Sequence, residues 1–63
     1  MPSINLEQRG SVAIMTLDNP SALNALTPEM RREMERVVTQ VRDEATIRAL
    51  VITGAGDAFC SGG

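Results

Sequence analysis

Two short apolar runs rich in β-branched residues flank a single helical stripe. That order constrains the chain more than any other feature. The first run is Val12-Ala13-Ile14-Met15-Thr16-Leu17 and the second lies within Ile47–Thr53. Between them, apolar residues recur at Met30, Met34, Val37, Val38, Val41 and Ala45. Those spacings keep to one face of an α-helix. Arg31, Arg32, Glu35, Arg36 and Arg42 fall off that face as a solvated side, and Glu29 and Glu33 flank the stripe. Thr27-Pro28-Glu29 marks the start, since a threonine caps, a proline suits the first helical position and a glutamate complements the helix dipole. Three valines weaken the local propensity, so burial has to hold this helix, which should end near Asp43–Ala45. A strand, a helix and a second strand make a βαβ unit, and its crossover predicts parallel pairing of strands 12–17 and 49–53.

Ahead of this unit, residues 3–9 alternate around Ile4 and Leu6, and Gly10-Ser11 separates them from the first apolar run. The pattern predicts a β-hairpin whose turn is supplied by Gly10. The 12–17 strand is the more continuously apolar of the pair and should be the more buried. The 49–53 run, bounded by Gly54, also reads as a buried strand. Asp18-Asn19-Pro20-Ser21 is a turn cluster, and Pro20, with no N–H, ends the ladder there. Ala22–Leu26 reads as a short apolar loop or single turn. The expected fold class is therefore α/β, a hairpin plus a βαβ unit.

Composition removes whole classes of chemistry. The chain has no His, Tyr or Trp, and all six of its cations are arginines. A histidine base, a Ser–His or Cys–His nucleophile pair, a lysine Schiff base and a P-loop are thereby excluded within these residues. A net charge of −2 with one aromatic residue offers neither the basic footprint nor the stacking platform of a nucleic-acid binder. No apolar run approaches membrane-spanning length, and the N-terminus lacks a signal-peptide pattern. A cytoplasmic protein that contacts no membrane is the expectation, and one free cysteine fits a reducing compartment. One cysteine and no histidine also leave 63 residues without a disulfide or a zinc site. A chain that short buries too little apolar surface to fold readily by itself.

The functional chemistry concentrates in Gly54-Ala55-Gly56-Asp57-Ala58-Phe59-Cys60-Ser61-Gly62-Gly63, with four glycines in ten residues. Loops at the carboxyl ends of parallel strands are where α/β proteins bind ligands, and glycine lets backbone N–H groups turn toward one. A dinucleotide loop is one reading, because Gly54-Ala55-Gly56 follows a strand. Its third glycine would fall at position 59, which is Phe59, and no helical pattern follows. Cys60, with no base in the chain, reads as a packed small residue, Phe59 as a core anchor of the loop, and Met30 and Met34 as core rather than an acyl pocket.

Three stretches together resemble the crotonase superfamily, the enoyl-CoA hydratases and isomerases. They are Leu17-Asp18-Asn19-Pro20-Ser21-Ala22-Leu23-Asn24-Ala25-Leu26, Leu50-Val51-Ile52-Thr53-Gly54-Ala55-Gly56 and Asp57-Ala58-Phe59-Cys60-Ser61-Gly62-Gly63. The resemblance covers nearly the whole chain with the spacing between stretches preserved. It implies that residues 1–63 are the N-terminal part of a single crotonase-like catalytic domain, the start of a ββα superhelix, stopping inside the oxyanion loop.

It also implies coenzyme A thioester chemistry, with no permanently bound cofactor, no metal, and coenzyme A entering as part of the substrate. By the resemblance, the backbone N–H of Gly63 is one donor of an oxyanion hole, and a later glycine segment supplies the second. Ser61, Gly62 and Gly63 provide the small residues such a main-chain site needs, with the backbone near Ser61 meeting the adenine end of coenzyme A. Ser21, Ala22, Leu23 and Ala25 would line the nucleotide and pantetheine path. The family often carries Arg or Lys just before the turn proline; Asn19 stands there, so a cationic contact to a phosphate has to come from another residue. The family's catalytic carboxylates fall outside these residues, and Glu29, Glu33, Glu35 and Asp57 do not replace them.

The expectation is an enoyl-CoA hydratase-like enzyme, a homotrimer or hexamer acting on an acyl-CoA substrate together with the remainder of its own chain. The 63-residue segment by itself is expected to be inactive. A nucleotide-binding α/β module with a degenerate Gly-rich loop, or an inactive structural unit, are the alternatives.

Overall fold

A computed structural model describes residues 3–56 together with Phe59 and Cys60. Strand β1 (Ser3–Arg9) and strand β2 (Val12–Asp18) are followed by a 3₁₀ turn (Pro20–Ala22), helix α1 (Pro28–Arg42) and strand β3 (Ala49–Gly54). The sheet order is β1-β2-β3. β1 and β2 are antiparallel with Arg9 opposite Val12, so Gly10-Ser11 forms a two-residue turn. Gly10 has φ +60°. A glycine with positive φ at the first central position is what a type II′ hairpin requires, and the twist of that turn matches the strands it joins.

β2 and β3 are parallel, running from Val12 opposite Ala49 to Leu17 opposite Gly54, as the crossover predicts. The hairpin turn also anchors the start of β3, for the Ser11 carbonyl accepts from Arg48 N–H at 2.7 Å. The Gln8 amide spans the same junction, donating to the Gly10 carbonyl at 2.9 Å and to Thr46 Oγ1 at 3.1 Å.

The core follows from the central place of β2. Its alternate residues Ala13, Met15 and Leu17 are buried, and α1 adds Met30 and Val37. β2 is indeed more buried than β1, whose Ile4 and Leu6 are half-covered. α1 starts where the cap signals put it. Thr27 Oγ1 accepts from Met30 N–H at 3.1 Å, and Pro28 occupies the first turn. Thr27→Ala in the full-length protein should cost about 1 kcal/mol in urea unfolding, with Thr27→Ser close to the parent.

The helix closes at Arg42 with Asp43 as its C-cap. Beyond it the chain tightens through a bond from Glu44 N–H to the Val41 carbonyl. Ala45 therefore lies past the helix, exposed, and is not part of the stripe. Val38 is also largely exposed, and Met34 is half-buried beside it and Leu26 in an open depression.

β3 departs most from expectation. It was expected to be buried, yet Val51 is 47% and Ile52 43% exposed. β3 is an edge of the sheet, and α1 packs more closely on β1 than on β3, which leaves Val51 and Ile52 open among the described residues. Parallel strands are normally covered on both faces. An apolar run reports that a strand needs cover, and cannot say which part of a protein supplies it. With Leu23, Val38, Val51, Ile52 and Phe59 all exposed, the 63 residues expressed alone should give a mostly unfolded circular dichroism spectrum. A cooperative thermal melt of that peptide would contradict this.

Candidate functional site

Because β2 and β3 are parallel, the loops that leave them emerge at one edge of the sheet. The first spans residues 19–26 and the second begins at Ala55. Asn19 opens the first loop and Asn24 nearly closes it, and the two hold each other. Asn24 N–H donates to the Asn19 carbonyl at 2.7 Å, and Asn19 N–H donates back to Asn24 Oδ1 at 2.8 Å. The Asn19 side-chain amide adds a bond to the Ala25 carbonyl at 2.9 Å. Inside this ring the Pro20–Ala22 turn is closed by Ala22 N–H to the Asn19 carbonyl and Leu23 N–H to the Pro20 carbonyl, both at 3.1 Å.

Two consecutive residues, Leu23 (φ 52°) and Asn24 (φ 60°), are left-handed. Asparagine tolerates this conformation; for leucine it costs about 1–2 kcal/mol. Asn24 is completely buried, whereas the strained Leu23 is 59% exposed.

The second loop is tied to the first at its first residue. Ala55 N–H donates to the Leu17 carbonyl and the Ala55 carbonyl accepts from Asn24 Nδ2, each at 2.8 Å. Next to it, Gly56 has φ +76°, and a Cβ there would lie 4.0 Å from Pro20 Cβ. The loops are thus in contact where the glycine-rich segment begins.

Of the residues expected to line a ligand path, Ser21, Ala22 and Leu23 lie exposed on this rim, and Ala25 is half-buried beneath it. Ser61, Gly62 and Gly63 lie outside the described residues, as does Asp57. Cys60 is half-buried, in keeping with a packed small residue. Phe59 is a correction, because its ring is 58% exposed and does not anchor the loop in the core. Asn19, whose position could have held a cation, is instead a buried structural amide.

The site's chemistry is that of backbone groups and amides. Asp18, the last residue of β2, accepts from Asn5 Nδ2 at 3.3 Å across the hairpin. The helical glutamates Glu29 and Glu33 pair with Arg32 and Arg36 one turn on, as a solvated face does. Arg9 is held above its ordinary pKa by the Glu7 carboxylate that accepts its hydrogen bond at 2.7 Å. Both groups are exposed at the hairpin end of the sheet and have no acid–base part here. Among the described residues, no three His, Cys, Asp or Glu side chains gather as a metal site would need, and no helix is long and apolar enough to cross a membrane.

Sequence reasoning passed over Asn24. A signal was present, because an asparagine inside the apolar stretch Ala22-Leu23-Asn24-Ala25-Leu26 has to find partners if buried.

Known proteins converge on one family. The Enoyl-CoA hydratase/isomerase family profile matches residues 7–63. A Rhodobacter capsulatus protein named "Probable enoyl-CoA hydratase" is 45% identical over 60 residues, covering 95% of this chain and 23% of that protein. The short-chain-enoyl-CoA hydratase of Clostridium acetobutylicum is 36% identical over 55 residues, covering 87% and 21%. Among solved structures, an enoyl-CoA hydratase/isomerase from Mycobacterium paratuberculosis superposes with a TM-score of 0.91 at 42% identity, over 94% of this chain and 23% of that one. The chain thus spans about a quarter of the length of these relatives. On this match, through the glycine-rich segment and over the same hairpin, helix and parallel strand, the chain belongs to the enoyl-CoA hydratase/isomerase family.

Proposed function

We propose that these residues open the catalytic domain of an enoyl-CoA hydratase-like enzyme, which adds water across the double bond of an acyl-CoA thioester. Addition at the β-carbon moves the double bond's electrons onto the thioester oxygen, and proton transfer to the α-carbon returns them. The backbone N–H of Gly63 donates to that oxygen, and a second N–H comes from another segment of the protein. Preorganised donors of this kind stabilise the enolate without reorganising as it forms. The general acid and base also come from elsewhere in the protein. Ser21, Ala22, Leu23 and Ala25 line the pantetheine and nucleotide path, with Ser61 and Gly62 beside it. Coenzyme A enters as part of the substrate.

The observation that carries this reading is the family match running through residue 63, on a framework where the two loops meet at one sheet edge. Leu23 adds support, since an apolar side chain kept in solvent by a strained backbone is the kind of outlier that marks a ligand contact. A cytoplasmic homotrimer, or a hexamer of two such trimers, completes the proposal.

The test is hydration of but-2-enoyl-CoA by the full-length protein, followed as loss of the conjugated thioester absorbance. Turnover in the usual enzymatic range of about 1–10³ s⁻¹ is expected. No hydration of enoyl-CoA substrates of any chain length would overturn the reading.

A further inference from the structure

We infer that Asn24 is a positioning residue, whose side-chain amide fixes the loop starting at Ala55 against the 19–25 loop and so sets where the oxyanion donor stands relative to the bound thioester. The inference rests on the function proposed above and adds to it a residue that touches neither substrate nor reacting atoms. Asn24 is 0% exposed, and its amide joins two points far apart in sequence. Oδ1 accepts from Asn19 N–H and Nδ2 donates to the Ala55 carbonyl, both at 2.8 Å. The two bonds have opposite polarity, so the amide has one orientation. Turned over, it would set an N–H₂ against an N–H and an oxygen against a carbonyl. Aspartate offers acceptors only, serine is too short to span both groups and glutamine is too long.

Ala55 is held from both sides. Its N–H is taken by the Leu17 carbonyl at the end of β2, and its carbonyl is taken by Asn24. The two peptide groups that flank Ala55 are thereby fixed, one to the sheet and the other to the 19–25 loop. Where a reaction depends on a donor meeting a developing charge, a shift of about 1 Å can cost about a hundredfold in rate.

The test compares Asn24→Asp with the parent in the full-length protein. The aspartate keeps an acceptor for Asn19 N–H and sets a carboxylate oxygen against the Ala55 carbonyl. Expected is a fall in kcat of about tenfold or more per folded active site, with KM for but-2-enoyl-CoA close to the parent's, because the coenzyme-binding loop keeps its own ring of bonds. The downshift of the thioester carbonyl stretch of bound acyl-CoA, which reports the oxyanion donors, should shrink in parallel. Asn24→Gly keeps the left-handed backbone and loses the side-chain bonds to Asn19 and Ala55, and should show the same two changes if the aspartate variant does not fold.

A purely structural residue would lower the melting temperature of these variants and leave kcat per folded site and the carbonyl stretch unchanged. That result would overturn the inference. Gly63→Pro, measured alongside, separates the two layers. If it is inactive while a folded Asn24 variant keeps full kcat, the positioning role fails and the proposed function stands. If Gly63→Pro retains full turnover, the oxyanion reading itself fails.

Discussion

Gly63→Pro in the full-length protein is expected to lower kcat at least a hundredfold. Proline has no N–H, so the substitution deletes the proposed donor while adding only a small ring. Losing one oxyanion donor removes about 3–4 kcal/mol of transition-state stabilisation, which is about 10²–10³ in rate. The loss should fall on kcat more than on KM, because the bond strengthens as charge develops on the thioester oxygen. Gly63→Ala keeps the N–H and separates donor loss from added bulk, and should retain far more activity than the proline variant. Turnover is read with but-2-enoyl-CoA on protein whose circular dichroism matches the parent. Parental kcat in a folded Gly63→Pro variant would remove Gly63 from the mechanism.

What the sequence made legible was what is local or forced by connectivity. Thr27-Pro28 signals a helix start because cap and first turn are made by neighbouring residues, and the bond from Met30 N–H to Thr27 Oγ1 is that signal realised. Gly10 marked the hairpin because a tight turn there needs positive φ. Parallel pairing of β2 and β3 followed from the crossover alone, through the handedness and length rules of βαβ units.

What stayed illegible depends on partners remote in sequence. The β-branched run of β3 looks the same whether its faces are covered or bare, so the exposure of Val51 and Ile52 was not readable from it. Ala45 continued the spacing of the helical stripe, but periodicity does not mark the residue at which a helix stops. At the site, the rim residues Ser21, Ala22 and Leu23 came from motif likeness, whereas the bond that ties the rim to the next loop came from neither motif nor period. Asn24 reaches Ala55 across 31 residues of sequence, and its left-handed backbone is one that Leu23, a poor candidate for it, shares.

That bond makes Asn24→Ala the substitution with the largest expected effect on stability, about 3–8 kcal/mol. Two costs add. Removing the amide strips Asn19 N–H of Oδ1 and the Ala55 carbonyl of Nδ2 in a place where Asn24 itself is 0% exposed, and each buried group left unsatisfied costs about 1–3 kcal/mol. Alanine must also hold φ near 60°, for about 1–2 kcal/mol more, a conformation asparagine tolerates through its short polar side chain. Asn24→Gly separates the two. It loses the same side-chain bonds but has no Cβ to strain, so it should lie about 1 kcal/mol closer to the parent than alanine does. The ordering to be seen in urea unfolding of the full-length protein is parent, then Gly, then Ala, at an unchanged dependence on denaturant. An alanine variant within about 0.5 kcal/mol of the parent would mean the buried amide is no strut, since that is the range of an ordinary surface change. A glycine variant as stable as the parent would instead assign the whole cost to the backbone and leave the bond to Ala55 with no role in holding the two loops together.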